Sequence, residues 1–152
     1  MKSTLEIGLT YTHHFTVTRD KTVPALFPES AEFRAMPQVL ATGFMVGLFE
    51  WSCIELLRPH LDLGEGSLGT HVDFSHVAAT PAGLCVAVVA TLTRIEGRSL
   101  HFSVRGHDGL DLIGEGMHRR AIVTWTRFDE RLAQKTARAA AAQTASVGLE
   151  RR

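Results

Sequence analysis

Apolar residues along this chain change their spacing twice, and the two changes divide it into a strand, a helix and a run of strands. Leu9 to Thr18 is dense in Thr, Tyr, Phe and Val and predicts a β-strand. Pro24, Pro28 and Pro37 follow and predict a segment without regular structure. From Gln38 to Leu57 apolar side chains point in every helical direction, among them Leu40, Phe44, Val46, Leu48, Trp51, Ile54 and Leu57. Pro37 suits the first turn of a helix there, and Pro59 ends it. A helix that is apolar all round belongs in an interior. Leu63 to Ser67 reads as a loop. Four strand-like runs then succeed one another: Leu68 to Ala79, Cys85 to Ile95, Leu100 to His107, and Ile113 to Phe128, with turns at Gly97 and at Asp108-Gly109.

One antiparallel sheet wrapped around one long central helix accommodates both halves of this pattern. That is an α+β chain with the hot-dog fold. A single small sheet covers only part of such a helix, so a homodimer is expected to bury the remainder. The folded domain is expected over residues 1–129. Residues 130–152 hold five basic and two acidic side chains and the tract Ala139 to Ala142, which predicts a frayed helix or a disordered tail.

Composition narrows the function classes. The chain has 152 residues with 45% hydrophobic and 21% charged side chains, which excludes wholesale disorder. Lys plus Arg (16) equals Asp plus Glu (16), so no basic excess points to nucleic acid or to an anionic membrane. The apolar stretch Val39 to Phe49 would span about 17 Å as a helix, too short for a bilayer. Cys53 and Cys85 lie in apolar runs and read as buried free thiols. With no apolar leader after Met1, a cytoplasmic protein is expected.

Several side chains could carry chemistry. Glu50 has Val46, Gly47, Cys53 and Ile54 as its helical neighbours, so its carboxylate must find a partner or accept a raised pKa. It is either a structural acid tied to an Arg or His, or a catalytic one. Glu55, by contrast, has Arg58 three residues on. His76 shares a strand face with Val72 and Phe74 and is expected to point inward, as a core histidine or as a proton carrier. Thr42 fits an N-cap, and the N–H groups around it could also hold a developing oxyanion. Arg119-Arg120 reads as a surface pair unless one of them turns inward, where it would clamp an anion. No metal site is expected, because His71 and His76 fall on opposite strand faces, and no GxSxG nucleophile elbow is present.

At the level of whole segments the chain resembles the fluoroacetyl-CoA thioesterase family. The likeness is carried by Ala41 to Trp51, Gly64 to Thr70, Ala78 to Leu84, His101 to Asp108 and Ile113 to Ala121, with Lys21 to Val23 and Pro28 to Ser30. It extends over about Leu5 to Phe128. The resemblance implies a hot-dog homodimer that hydrolyses a short acyl-CoA thioester. CoA would enter as part of the substrate, with no cofactor. It implies Thr42, Glu50 and His76 as the catalytic trio, with Glu50 either attacking the carbonyl or activating water. Gly69 and Arg120 match positions that recognise the small fluorinated acyl group, and Phe33 matches part of an apolar lid. At Met36 the family carries a Phe that gates the pocket, so a more permissive pocket is expected here. An enoyl-CoA hydratase and a non-catalytic acyl-CoA-binding module are the competing readings. Thr42 and Glu50 are two helical turns, about 12 Å, apart, which favours a site shared between two subunits.

Overall fold

The computed structural model describes residues 1–149, and side chains through residue 143. Five strands, β1 (Thr10–Thr16), β2 (Glu65–Phe74), β3 (Cys85–Glu96), β4 (Ser99–His107) and β5 (Leu112–Thr124), form one sheet in the order β1-β3-β4-β5-β2. Every neighbouring pair is antiparallel. Two short helices, α1 (Val23–Leu26) and α2 (Ala31–Arg34), precede the central helix α3 (Thr42–Leu57), and α4 (Trp125–Leu149) follows the last strand.

Alternation on the strands and the apolar surface of α3 meet in one core. Val86, Val88, Ala90 and Leu92 of β3, Leu100, Phe102 and Val104 of β4, and Ile113 and Ile122 of β5 face inward. Against them α3 sets Met45, Leu48, Phe49, Cys53, Leu56 and Leu57, all buried. Contact is close enough to need a glycine. A Cβ on Gly106 of β4 would stand 2.7 Å from the Phe49 ring. The sheet curls around the helix in the hot-dog arrangement, while Trp51 and Ile54 keep 45% and 40% of their surface exposed. One face of α3 is therefore uncovered in a single subunit.

Several boundaries differ from the sequence reading. α3 begins at Thr42 rather than Gln38, because Val39 and Leu40 are drawn into bridges with Pro81 and Thr22; Pro37 lies before the helix. The proline-rich stretch is not irregular throughout. Pro24 sits in the first turn of α1, and the Ser30 hydroxyl caps α2 by accepting from Phe33 N–H at 3.4 Å. β2 starts inside the expected loop, at Glu65, and ends at Phe74, five residues short of Ala79. β5 stops at Thr124 instead of Phe128. Trp125 there starts α4, with its indole lying where a Cβ on Gly66 would be, 2.0 Å from the ring. Cys53 is buried as expected, but Cys85 is exposed at the start of β3. His13 of β1 is buried edge-on against Trp51 at 4.4 Å.

Residues 130–149 continue α4; the end of the expected tail, residues 150–152, lies outside the described residues. Among the described residues no helix is long and apolar enough to cross a membrane.

Because Phe49 joins α3 to β4 and, at 5.0 Å, to Phe74, Phe49→Ala is expected to cost about 3–5 kcal/mol in urea denaturation. A loss below about 1 kcal/mol would mean that the helix is not anchored here.

Candidate active site

Glu50 sits in the third turn of α3, and its side chain remains 33% exposed. The partner it requires comes from β5. Strand alternation directs His118, Arg120 and Ile122 to the inner face, and all three are buried. Arg120 is thus the inward member of the Arg119-Arg120 pair and not a surface residue. Its Nη1 donates to Glu50 Oε1 at 3.2 Å, its Nε to Ser67 Oγ at 2.9 Å, and its Nη2 to the Ser67 carbonyl at 2.9 Å. A buried guanidinium must satisfy its donors, and β2 supplies two of the acceptors.

Gly69, opposite Arg120 in the β2–β5 register, makes room for the acid. A Cβ at this position would stand 2.2 Å from Glu50 Oε1. The missing side chain lets the carboxylate lie against the β2 backbone with one oxygen fixed.

His118 was not singled out in the sequence. It is fully buried, with Nδ1 2.7 Å from the His71 carbonyl. A carbonyl only accepts, so Nδ1 carries the hydrogen, and Nε2 accepts from Arg120 Nη1 at 3.1 Å. Burial lowers the pKa of His118, reinforced by the Arg120 charge and opposed by the hydrogen bond to His71 and by Glu50. The ring is neutral at neutral pH. Its 3.4 Å approach to Glu50 Oε1 is therefore two acceptors sharing one arginine, not an ion pair. The signal in the sequence was the spacing His118-x-Arg120-x-Ile122, which places two polar side chains on the face of a buried apolar one.

A second group lies at the other end of α3. Thr42, the first helical residue after the Ala41 N-cap, places Oγ1 2.8 Å from His76 Nδ1. His76 follows the end of β2, where Ser75 and Val77 still donate to the Glu115 and Ile113 carbonyls of β5. Burial lowers the His76 pKa. Its Nε2 is buried and finds no partner among the described residues. Beside this pair, Val23, Leu40, Val77 and Ala78 line a cleft of about 290 Å³.

Thus Glu50, Gly69 and Arg120 come together, as do Thr42 and His76. Among the described residues no hydrogen bond joins the two groups within one subunit. Phe33 packs edge-on against Phe27 at 5.3 Å, and α1 is held to α3 by Leu26 against Gly43. Met36 follows α2 and is 45% exposed. An open groove of about 660 Å³ begins at Gly66 and Ser67, next to the anchor of Arg120, and runs between Ile54, Leu63 and Trp125. Among the described residues no three His, Cys, Asp or Glu side chains are grouped to hold a metal ion.

Comparison with known proteins gives consistent results. The sequence profile of the family described as fluoroacetyl-CoA-specific thioesterase matches residues 17–126. A fluoroacetyl-CoA thioesterase from Streptantibioticus cattleyicolor is 50% identical over 136 residues, covering 90% of this chain and 98% of the relative. A solved fluoroacetyl-CoA thioesterase superposes with a TM-score of 0.84 at 50% identity, over 86% of this chain and 97% of that one. A thioesterase superfamily member from Thermus thermophilus superposes with a TM-score of 0.82 at 26% identity, over 91% and 98%.

Gly69→Ala should push the carboxylate off Arg120 and cost about 1–3 kcal/mol, the penalty for a buried donor left unpaired. In a Glu50→Ala background the same change should cost much less, since the severe clash is with Glu50 and only a 3.2 Å approach to the His118 ring remains. Equal costs in both backgrounds, measured by thermal unfolding, would contradict this packing.

Proposed function

The chain belongs to the fluoroacetyl-CoA-specific thioesterase family, and from that membership we propose that it hydrolyses fluoroacetyl-CoA to fluoroacetate and CoA. The observation that carries this reading is the Glu50 carboxylate, pinned through one oxygen by a buried arginine while a third of the side chain stays open. A carboxylate held in this way can act in two ways. It can take a proton from water as the water adds to the thioester carbonyl, or it can add to the carbonyl itself, giving an anhydride that water opens. Both routes end in the acid and the CoA thiol, and neither draws on a cofactor or a metal.

Thr42 and His76 supply the complementary part. The Thr42 hydroxyl donates to His76 Nδ1, which leaves Nε2–H to meet the departing sulfur or the developing oxyanion. His76 is a neutral donor in this scheme, in keeping with the burial that lowers its pKa. Arg120 has its Nε and Nη2 on Ser67 and its Nη1 shared by Glu50 and His118. Its contribution is to orient Glu50 and, through the field of its charge, to favour an electronegative acyl substituent beside Gly69.

The two groups meet if two copies pair. β2 is an edge strand, with Val72 43% exposed, and the neighbouring α3 face is uncovered. Antiparallel pairing of β2 with its own copy about a two-fold axis brings the far end of one β2, and His76 beyond it, alongside the start of the other. Ser67 there anchors the Arg120 that holds Glu50. The groove starting at Ser67 then leads the pantetheine arm of the substrate outward. We place the homodimer in the cytoplasm, where Cys53 and Cys85 stay reduced.

Release of free thiol from fluoroacetyl-CoA tests the activity. Glu50→Gln and His76→Ala are each expected to lower it about 10²-fold or more. Mixing the two inactive variants should restore activity, because a mixed dimer contains one site with neither substitution. No recovery after subunit exchange would place the whole site in one subunit.

Selectivity should depend on Met36. A flexible, exposed Met closes a lid less uniquely than a rigid Phe. Met36→Phe is expected to raise the kcat/KM preference for fluoroacetyl-CoA over acetyl-CoA by an amount corresponding to about 1–3 kcal/mol. An unchanged ratio would show that this side chain takes no part in gating.

A further inference from the structure

We propose that His118 is a positioning residue for this reaction: as a neutral imidazole hydrogen-bonded to the β2 backbone, it accepts from Arg120 and thereby aims the guanidinium at one oxygen of Glu50. The proposal rests on Glu50 being the reacting carboxylate, as argued above.

Geometry fixes the ring from both sides. His71 O, 2.7 Å from Nδ1, accepts the only ring hydrogen of the neutral form. Nε2 is then a bare acceptor, 3.1 Å from Arg120 Nη1. The two N–H groups of Nη1 are divided between His118 and Glu50 Oε1, while Nε and Nη2 are held by Ser67. All three guanidinium nitrogens are thus engaged, and the plane cannot turn. Without an acceptor at His118, one N–H of Nη1 would lose its partner. The guanidinium could then swing to give both carboxylate oxygens a donor, occupying the oxygen that has to react.

The groups packed around His118 show why it must be uncharged. Glu50 faces it from α3, His71 from β2 and Arg120 from its own strand, while β4 contributes the apolar Phe102; Cys53 of α3 lies near Glu50 and Arg120. Phe74 lies 6.0 Å away, ring to ring. The Cys53 thiol, pushed up to about 12 by burial, carries no charge. A second ring proton would set an N–H against the Arg120 cation and leave Glu50 Oε1, at 3.4 Å, as its acceptor. Protonated His118 would therefore take the carboxylate and release the arginine. Sequestration from water and the neighbouring cation both oppose that proton.

The tautomer can be read in the wild-type, full-length protein by imidazole ¹⁵N NMR, with His118 assigned by comparison with His118→Gln. His118 is expected in the Nδ1–H form, still neutral at about pH 6.5, where exposed histidines are half-protonated. An Nε2–H ring, or titration together with the exposed histidines, would overturn the proposal. In kinetics with fluoroacetyl-CoA, His118→Ala should lower kcat about 10-fold to 100-fold with little change in KM, the scale for a misplaced reacting group. His118→Gln offers an amide oxygen to Arg120 and should recover most of that loss, which a merely space-filling role does not require. Wild-type kcat in His118→Ala, or a Gln variant as slow as a folded Ala variant, would refute the positioning role. If the Ala variant does not fold, the Gln variant decides, being refuted by a loss as large as 100-fold. Full activity in Glu50→Gln would overturn the reading of Glu50 itself, and this proposal with it, whatever the His118 variants do.

Discussion

A positive charge inside the sheet organises this protein. Arg120 lies on the inner face of β5, only 3% exposed, where an unpaired cation would be prohibitively expensive. Its neighbours can be read as answers to that charge. Ser67 turns two oxygens to it, His118 gives up a lone pair, and α3 contributes Glu50. Gly69 lacks a side chain because the acid fills its place. The arginine is consumed by these contacts, with little left for further hydrogen bonding.

The same constraint explains why Glu50 can be both anchored and available. A carboxylate lying free on an apolar helix would be driven towards neutrality, and one clamped through both oxygens would be inert. Here a single oxygen is tied, and the side chain is one-third open. The opposite end of α3 works differently: Thr42 and His76 form a neutral pair with an unsatisfied buried nitrogen. Charge and neutral donor are thus kept about two helical turns apart in one subunit.

Much of the architecture was legible from side-chain periodicity. The all-round apolarity of 38–57 marked α3 as interior, alternation marked β4, and continuous apolar or β-branched runs marked β3 and β5 to within a few residues. Ends were less legible where tertiary contacts decide. Trp125 turns from strand to helix by packing on Gly66, and Leu40 leaves the helix to pair with Thr22. Within the site, the need of Glu50 for a partner followed from its neighbours, but Arg120 could not be told from Arg119 until the face of β5 was known. His118 stayed hidden because its spacing with Arg120 and Ile122 becomes informative only once the inner face of β5 is known, and its partner is a carbonyl 47 residues away.

The β2–β5 pairing carries one more implication, for how the molecule comes into being. Ser67 and Gly69 stand 53 and 51 positions from Arg120 in the sequence, and Glu50 stands 70 from it. The β3–β4 and β4–β5 hairpins close over short loops and bury apolar side chains without any help from the site. β2 must close over far more chain than either hairpin before it reaches the inward-turned arginine. Loop closure of this kind is entropically late, so the cluster around Arg120 is completed only after the hairpins have formed. A nascent chain with its hairpins in place is then a compact body whose inward arginine still lacks Ser67, and the finished cluster becomes a report of β2 seating itself.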